Sequence, residues 1–394
     1  MIWVMLFWAS SMVLAYGFFG YGVLVVILAR VLDKFRPPRN ICEVASDLTL
    51  PTISVLVCAR NEEVVIARRI ANVLEQDYPS DRVEAILVSD GSTDRTAEIA
   101  RSFVQSNVRV LEHDESRGKN HRLNEAIGLA SGSVIVFSDA NSEFEPTTLM
   151  ELVRALLADR RIGCVSGLEI HSETERDEGA VATVEATYYD SESSIKLAEN
   201  RLGVFFSANG SVLAVWKRLL RPLEDVFPND FQIPLDVIAQ GYLASFSPMA
   251  IAKEKSASHL HEEYQRKKRI VSRAVSCFVG RMSSLPMRTI LAIMSHKLIR
   301  WVALPVLILL LVANGMLVLA ASGWFYTGAL VVQAAFWGCV FLGMLCSRFG
   351  SIPRLLAYPT YLAITVVSAF HGVLLALAGR GIVRWNAAPS TRRN

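Results

Sequence analysis

The stretch that decides the fold is Ser133–Asn141, which reads Ser-Val-Ile-Val-Phe-Ser-Asp-Ala-Asn. Its short apolar, β-branched run is typical of a buried parallel strand. The run ends in Asp139 and Asn141, whose oxygen atoms are spaced so that both can reach one ion. In open α/β sheets, ligands bind beyond the carboxyl ends of the strands. The stretch therefore predicts an α/β sheet with a ligand site at that edge.

A second strand of the same kind precedes it in the chain. Residues 84–90 read Glu-Ala-Ile-Leu-Val-Ser-Asp, and Asp90 opens the segment Asp-Gly-Ser-Thr-Asp that ends at Asp94. Two parallel strands that bring carboxylates to one edge of a sheet can hold a hard cation together with a phosphorylated ligand.

Strand-like and helix-like patterns alternate from residue 51 to about 255, which is typical of a doubly wound α/β domain. Strands are predicted at 53–59, 84–89, 108–111, 133–141 and 162–167, and helices at 61–75, 94–103, 120–130, 147–158 and 178–200.

The composition points to a soluble domain between membrane segments. Of 394 residues, 52% are hydrophobic and 20% are charged, and the mean hydropathy is +0.35. The first figure is too high for a soluble enzyme, whereas the second is too high for a pure membrane bundle. The six cysteines form no CxxC pair and no Cys/His metal pattern, so we expect them to be reduced, as in a cytosolic domain; they are Cys42, Cys58, Cys164, Cys277, Cys339 and Cys346.

The start of the chain predicts a transmembrane helix over 1–30, followed by a linker over 31–50. Residues 1–29 carry no charge, and four basic residues follow: Arg30, Lys34, Arg36 and Arg39. About 20 apolar residues span a bilayer, whereas a signal peptide would carry its positive charge first. The positive-inside rule places the start outside and the following domain in the cytosol.

The C-terminal third is predicted to return to the membrane. Residues 256–297 form a basic, amphipathic interfacial region, and 298–379 contain about three apolar runs, at 301–322, 324–346 and 355–378. Three crossings would place the arginines of the tail, 380–394, outside, against the positive-inside rule. Either the tail is an exception or one run, such as the last one with Pro359, does not fully cross.

Four segments occur in the order and spacing of family 2 glycosyltransferases, and the chain resembles that family over roughly 51–260. They are Ala59-Arg60-Asn61-Glu62-Glu63, Asp90-Gly91-Ser92-Thr93-Asp94, Gly118-Lys119-Asn120 with Leu123-Asn124, and Ser138-Asp139-Ala140-Asn141. With its membrane segments, the chain resembles polysaccharide synthases of the cellulose, hyaluronan and poly-N-acetylglucosamine type. The resemblance implies a GT-A fold, a nucleotide-diphospho-sugar donor, Mg²⁺ or Mn²⁺, and inversion at the anomeric carbon.

The resemblance also implies which residues bind the donor. Asp90 would bind the base and ribose, usually of uridine, and a carboxylate can accept charge-assisted hydrogen bonds from both. Lys119 would lie near the diphosphate, where a point cation suits phosphate. Each has a structural alternative, because Asp90 can be a turn residue and Lys119 a solvated helix start.

A second set of donor-binding candidates lies at two predicted helix starts. Arg60, Asn61 and Glu62 follow the first strand, where the family forms the floor of its donor pocket, although these residues also suit a helix start. Asp94 is a donor-binding candidate as well, but an aspartate that opens a helix is commonly only its cap.

The metal ligands implied by the resemblance are Asp139 and Asn141, which correspond to the family's Asp-x-Asp motif. A metal that bridges the phosphates would offset the negative charge that develops on the departing nucleotide. Because Asn141 replaces the second aspartate, its amide oxygen can coordinate only without charge. We therefore expect weaker metal binding or a further ligand, for which His259 and His261 are candidates.

Asp230, in Pro228-Asn229-Asp230, resembles the family's catalytic carboxylate. An inverting transfer needs a base that takes the proton of the acceptor hydroxyl as this oxygen attacks the anomeric carbon. Asp230 can also be an ordinary loop aspartate, and Glu224 and Asp225 are rival candidates for the base.

Residues 265–270, Gln-Arg-Lys-Lys-Arg-Ile, occupy the place of the synthases' Gln-x-x-Arg-Trp motif. There Arg269 would hold the nucleotide phosphates, while Ile270 cannot stack on a sugar as tryptophan does. The spacing from Gln265 is also one residue too long, which argues against long processive elongation. A charge run on the membrane surface is the alternative interpretation.

We therefore expect an inverting, hexosyltransferase-type enzyme of the inner (plasma) membrane with a cytosolic GT-A domain. It would transfer a sugar, most often from a UDP-sugar, to a saccharide or polysaccharide acceptor in exopolysaccharide or cell-envelope synthesis. One alternative is the addition of a single sugar to a lipid-linked or membrane-lipid acceptor. A catalytically silent membrane scaffold is another. We expect the lipid bilayer, but no nucleic acid, among the partners.

Overall fold

The computed structural model describes residues 1–36, 49–104, 107–172, 180–255, 260–349 and 352–380, without the side chains of 171–172, 180–190 and 255. Four features of the sequence analysis lie outside the described residues. They are most of the predicted linker, Cys42, His259 and the tail from residue 381 onward.

One mixed sheet forms the centre of the domain. The strands in the described residues are β1 Ile53–Ala59, β2 Val83–Asp90, β3 Val108–His113, β4 Val134–Asp139, β5 Glu143–Phe144, β6 Ile162–Ser172, β7 Leu213–Trp216 and β8 Leu243–Lys255. Their order in the sheet is β3-β2-β1-β4-β7-β6-β8-β5. The first four are parallel. β7 runs antiparallel to β4 and β6, while β6 and β8 are parallel and β5 is antiparallel to β8.

The parallel strands end at one edge, as predicted. Strand β1 lies between β2 and β4, and its register pairs Ala59 with Ser89 and Cys58 with Asp139. All seven residues of β1 are buried, which is the usual state of a central parallel strand with both faces covered. Asp90 and Asp139 therefore reach the same edge, on either side of β1.

Helices cover the sheet and extend beyond the domain at both ends of the chain. Those in the described residues are α1 Ile2–Ala15, α2 Tyr21–Phe35, α3 Ile66–Leu74, α4 Thr96–Arg101, α5 Lys119–Leu129, α6 Thr148–Leu157, α7 Ala180–Leu202, α8 Asn229–Ala239, α9 Leu260–Arg281, α10 Met287–Ile293, α11 Ile299–Trp301, α12 Ala303–Leu319, α13 Trp324–Ser347 and α14 Arg354–Leu377. One π-helical turn, Tyr16–Gly20, joins α1 to α2, and another, Met294–Leu298, joins α10 to α11.

Two helices begin later than the sequence patterns predict. Helix α3 begins at Ile66 rather than at residue 61, because Asn61 adopts a positive φ of 55° that ends any helical geometry there. Helix α4 begins at Thr96 rather than at Asp94, because the Asp94 carboxylate accepts a hydrogen bond from the N–H of Thr96 from outside the helix.

Among the described residues, three helices are long and apolar enough to cross a membrane, by length and composition: Ile2–Phe35, Trp324–Ser347 and Arg354–Leu377. A fourth crossing results if Met287–Trp301 and Ala303–Leu319, bent by 60° at their junction, form one span. The first helix continues five residues beyond the predicted end at residue 30. Pro359 lies inside α14, which continues through it.

Buried charges on α7 attach the apolar helices to the domain. The His296 ring, in the π-helical turn before α11, lies between Glu199, with Nδ1 at 2.8 Å, and Glu192, with Nε2 at 3.0 Å. The hydroxyl of Tyr21 on α2 donates to Glu199 at 2.7 Å, and Arg300 contacts Glu192 at 3.2 Å. Ion pairs of this kind fix a helix in one orientation, because removing one partner leaves a buried charge uncompensated.

Candidate functional site

The end of β4 carries the first ion pair of the candidate site. The Lys119 ammonium group, on the first residue of α5, donates to the Asp139 carboxylate. Burial alone would lower the pKa of Lys119, but the Asp139 and Asp230 carboxylates outweigh this effect and raise it. Lys119 therefore stays protonated and holds a positive charge at the edge of the sheet.

Asp230, on the first turn of α8, interacts electrostatically with both members of this pair. Burial raises the pKa of Asp230, and the cations Lys119 and Arg273 offset only part of that effect. A carboxylate with a raised pKa is a stronger base than an exposed one. Asp230 is therefore suited to accept a proton.

The rival candidates for the base are less well placed. The side chains of Glu224 and Asp225 are exposed, and Glu224 is paired with Arg281 at 2.7 Å. Proton transfer needs a carboxylate at the reacting hydroxyl, and the Asp230 carboxylate acts electrostatically on both Lys119 and Asp139.

Helix α9 adds two arginines to this group. Burial, together with the neighbouring Arg273 and Arg266, lowers the pKa of Arg269 to about 10, while Asp139 and Asp230 act in the opposite direction. Arg273 lies one turn further along α9, and burial lowers its pKa as well, against the effect of Asp230. The two guanidinium groups thus extend the positive charge of Lys119 around the two aspartates.

Asp90 occupies the other side of β1 and organises a loop. Its Oδ1 accepts from the Arg117 N–H at 2.8 Å and from Arg122 Nε at 2.9 Å, and its Oδ2 accepts from Ser116 Oγ at 2.8 Å and the Gly118 N–H at 3.0 Å. Burial would raise the pKa of Asp90, but these hydrogen bonds lower it. A carboxylate accepts about four hydrogen bonds, so a nucleotide base can bind Asp90 only by exchange with one of them.

Gly91 makes this loop geometry possible, and its replacement tests it. At φ +65°, a Cβ on Gly91 would lie 2.6 Å from the Ser116 nitrogen. We expect Gly91→Ala to add a steric clash to about 1–3 kcal/mol of backbone strain. Gly203→Ala is the matched control, because Gly203 has nearly the same φ, +68°, with nothing within 4 Å of an added Cβ. The Tm of the detergent-solubilised protein should fall further for Gly91→Ala; equal Tm values would contradict the close approach.

The loops after β1 and β2 interlock through side chains. The Thr93 N–H donates to Asn61 Oδ1 at 2.8 Å, the Glu63 N–H to Asp94 Oδ2 at 3.1 Å, and the Glu62 N–H to Thr96 Oγ1 at 2.7 Å. Burial would raise the pKa of Asp94, but hydrogen bonds from the hydroxyl and N–H of Thr96 and from the Glu63 N–H lower it. Asn61 and Asp94 thus hold the two loops together. That they also bind the donor stays a prediction.

Two neighbours in the first loop differ in their exposure. The Glu62 side chain is buried, whereas Arg60 is half-buried and makes no hydrogen bond or ion pair within the described residues. Arg60 is therefore available to a ligand at this edge of the sheet.

The predicted metal ligands lie next to each other after β4. Asn141 is half-buried in the turn that follows Asp139. His261, a candidate further ligand, is exposed on the first turn of α9, with its Nε2 3.5 Å from the Gln265 amide nitrogen. Within the part of the chain that the structure describes, no three His, Cys, Asp or Glu side chains could together hold a metal ion. Asp139 and Asn141 would need ligand oxygens from the donor to complete a site.

Sequence reasoning missed two titratable side chains that act electrostatically on Asp139 and Asp230, Glu254 and Lys196. Glu254 on β8 accepts from Ser142 Oγ, and burial together with Glu169 and Asp139 raises its pKa well above the ordinary range. Lys196 on α7 donates to Asn209 Oδ1 at 2.6 Å. A glutamate near the end of a thirteen-residue strand was the available signal for Glu254, whereas no local pattern marks Lys196.

The structure thus divides the predicted site residues into two groups. Lys119, Asp139, Asp230 and Arg269 act on one another electrostatically. Asn61, Glu62, Asp90 and Asp94 belong to the loops on the other side of β1. Cys58, near the end of β1, lies between them, because its register partners are Val88 of β2 and Asp139 of β4. Burial raises the pKa of its thiol to about 12.

Comparison with known sequences finds similarity to glycosyltransferases. The sequence model described as glycosyl transferase family 2 matches residues 54–207. The probable glycosyltransferase YdaM of Bacillus subtilis is 34% identical over 172 residues, which are 42% of this chain and 38% of that protein. The beta-monoglucosyldiacylglycerol synthase of Nostoc sp. is 32% identical over 121 residues, 30% of this chain and 26% of that protein.

The poly-beta-1,6-N-acetyl-D-glucosamine synthase of Staphylococcus epidermidis is 24% identical over 204 residues, 50% of this chain and 48% of that protein. The chain thus matches less than half of the length of each of these three relatives.

Comparison with solved structures identifies the fold. The mannosyltransferase PcManGT from Pyrobaculum calidifontis, solved in complex with GDP-Man and Mn²⁺, has a TM-score of 0.70 at 22% identity. The match covers 95% of this chain and 99% of that one. The predicted GT-A fold is therefore confirmed, and residues 54–207 match the sequence model of glycosyl transferase family 2.

Proposed function

We propose that the chain is an inverting glycosyltransferase that moves a sugar from a nucleotide-diphospho-sugar to an acceptor hydroxyl at a membrane. The observation that carries the proposal is the meeting of Lys119, Asp139 and Asp230 at the carboxyl edge of the sheet. Two of these groups suit a diphosphate with its metal, and the third suits proton transfer.

The residues divide the work of the transfer. Lys119 and Arg269 neutralise the diphosphate, and Arg60, Asn61, Glu62, Asp90 and Asp94 hold the nucleoside side of the donor. Asp230 accepts the proton of the acceptor hydroxyl while that oxygen attacks the anomeric carbon from the face opposite the nucleotide. Attack from that face inverts the configuration, and the nucleotide diphosphate leaves toward Lys119.

Asp139 and Asn141 would hold Mg²⁺ or Mn²⁺. A carboxylate and an amide oxygen fit a hard cation, which usually takes one or two carboxylates from the protein and further oxygens from substrate phosphates. Bound there, the metal supplies positive charge that stabilises the departing diphosphate. The related fold of PcManGT was solved with GDP-Man and Mn²⁺, which supports a metal-dependent reaction here.

The donor is a UDP-sugar, and the acceptor is a saccharide or polysaccharide. The reaction belongs to exopolysaccharide or cell-envelope synthesis. The poly-N-acetylglucosamine synthase among the relatives supports this assignment. A second candidate is the addition of one sugar to a membrane lipid. It is favoured by Ile270, which is 43% exposed where the synthases carry tryptophan, and by the diacylglycerol-specific name of another relative.

A panel of labelled nucleotide sugars tests the proposed function. Native membrane vesicles that contain the protein receive UDP-glucose, UDP-N-acetylglucosamine or GDP-mannose with Mn²⁺. We expect label from one donor to enter the product. The amount should exceed that found with vesicles that contain the Asp230→Asn variant. A polymer supports the saccharide acceptor, and a single sugar in the organic phase supports the lipid acceptor. No transfer from any donor would favour the silent scaffold.

The chain is a multi-pass inner-membrane protein with its catalytic domain in the cytosol. Accordingly, a variant that keeps only Cys42 should resist an impermeant thiol reagent in intact cells. The matched control keeps only a cysteine introduced by Ser322→Cys, in the exposed turn between α12 and α13, and should be labelled. Labelling of Cys42 in intact cells would contradict this orientation and the use of cytosolic donors.

A further inference from the structure

The side-chain amide of Asn120 holds the loop that precedes the proposed catalytic carboxylate. We define the base loop as residues 224–228, which lead directly into α8 and Asp230. The Asn120 Nδ2 group donates to the Glu224 carbonyl at 2.6 Å and to the Phe227 carbonyl at 2.8 Å. A side-chain amide nitrogen has two donor hydrogens, so both of them bind the base loop.

The base loop is also held from the opposite direction. The Phe227 carbonyl accepts a second hydrogen bond, at 2.5 Å, from Arg273 on α9, and the same guanidinium group donates to the Asp225 carbonyl at 3.1 Å. A carbonyl oxygen has two lone pairs, and those of Phe227 are thus filled by donors from two helices. The base loop lies fixed between α5 and α9.

Asn120 is adjacent to the residue that contacts the metal motif. Lys119 pairs with Asp139, and the next side chain along the same first turn of α5 holds the base loop. Asn120 is only 4% exposed, so its amide is committed to these contacts. The first turn of α5 therefore links the position of the diphosphate site to that of Asp230.

We propose that Asn120 is a positioning residue that sets the place of Asp230 relative to the donor. The inference rests on the proposed role of Asp230 as general base. Displacement of a catalytic group by about 1 Å can cost about 10²-fold in rate. We therefore expect Asn120→Ala to lower the transfer rate at saturating donor by about 10- to 100-fold, with the KM for the donor changed by less than about threefold.

An isosteric variant separates positioning from simple packing. Asn120→Asp keeps the shape but places a carboxylate, which only accepts hydrogen bonds, against two carbonyls. Its rate should fall as far as that of Asn120→Ala. A packing role predicts a rate near that of the wild type instead.

Asn124 offers a matched control on the same helix. It also makes two hydrogen bonds, both at 2.8 Å and both with the backbone of Leu223, before the base loop begins. Asn124→Ala should lower the Tm about as much as Asn120→Ala but reduce the rate by less than about threefold, because it leaves the base loop held at both carbonyls.

A double-mutant cycle with Asp230→Asn decides the inference. In vesicles supplied with the donor identified by the panel, Asn120→Ala should cause little further loss once Asp230 is replaced, because the two residues act as a unit. If the two losses multiply, or if both Asn120 variants match Asn124→Ala in rate, the positioning role is wrong. If Asp230→Asn itself retains the wild-type rate, Asp230 is not the general base, and the positioning role of Asn120 is then wrong as well.

Discussion

Replacing the proposed general base by Asp230→Asn should lower the rate of sugar transfer by about 10²- to 10⁴-fold, the usual contribution of general-base assistance. Asparagine keeps the shape of the side chain but cannot take the acceptor's proton. Affinity for the donor should survive, because the proposed diphosphate-binding residues Lys119 and Asp139 lie on other elements of the fold. Calorimetry of nucleotide-sugar binding and initial transfer rates measure the two effects separately.

The same assignment predicts a pH dependence. Burial raises the pKa of Asp230, and only its deprotonated form can act as the base. The rate at saturating donor should therefore fall as the pH drops through a value above the ordinary aspartate range. In Asp230→Asn this acidic limb of the profile should disappear.

Three variants act as controls for the base. Glu224→Gln and Asp225→Asn change exposed side chains of the base loop and should keep most of the rate. Asp90→Ala should mainly raise the dissociation constant of the donor, because Asp90 organises the loop from Ser116 to Gly118 and lies away from the reacting hydroxyl. If Asp230→Asn keeps a nearly normal rate while Asp225→Asn or Glu224→Gln loses activity, the general base is one of these two upstream residues instead.

The parts of the fold that are local in sequence could be predicted well. The β-branched runs that end in Asp90 and Asp139 predict both strands and their common edge, because burial and register follow from the pattern itself. Strand β1 is predicted with the same bounds as the structure has, 53–59. The start of α3 was predicted wrongly, because the conformation of Asn61 depends on its hydrogen bond with Thr93, which no local pattern reveals.

The contributions that join distant segments could not be predicted. Glu254 lies near Asp139 because β5, which follows Asp139 closely in the chain, pairs with β8 and aligns Glu143 with Lys253. This pairing is a property of the sheet order and not of either strand alone. Asn120 was visible as part of a motif, but its role depends on a loop about 100 residues later. The prediction of Asp230 as the base rests on the family resemblance, since an aspartate in the first turn of a helix has no distinctive local pattern.

Removal of the metal should have an effect as large as loss of the base. Stabilisation of the leaving group by a metal contributes several kcal/mol, which corresponds to about 10³-fold in rate at 1.36 kcal/mol per factor of ten. A chelator in excess should therefore abolish transfer, and added Mn²⁺ or Mg²⁺ should restore it. Asp139→Asn should lose about the same factor, because it removes the one charged ligand after β4.

Asn141→Asp should instead strengthen metal binding. It adds a negative charge at a cation that favours carboxylate oxygens, so the metal concentration for half-maximal rate should fall by about tenfold while the maximal rate is kept. Glu254→Gln is the matched control near Asp139. Because Glu254 is not one of the proposed metal ligands, a neutral isostere should leave the metal dependence unchanged. Full transfer in excess chelator, or an unchanged metal requirement in Asn141→Asp, would show that Asp139 and Asn141 do not hold the ion, and Lys119 would then be the principal cation at the diphosphate.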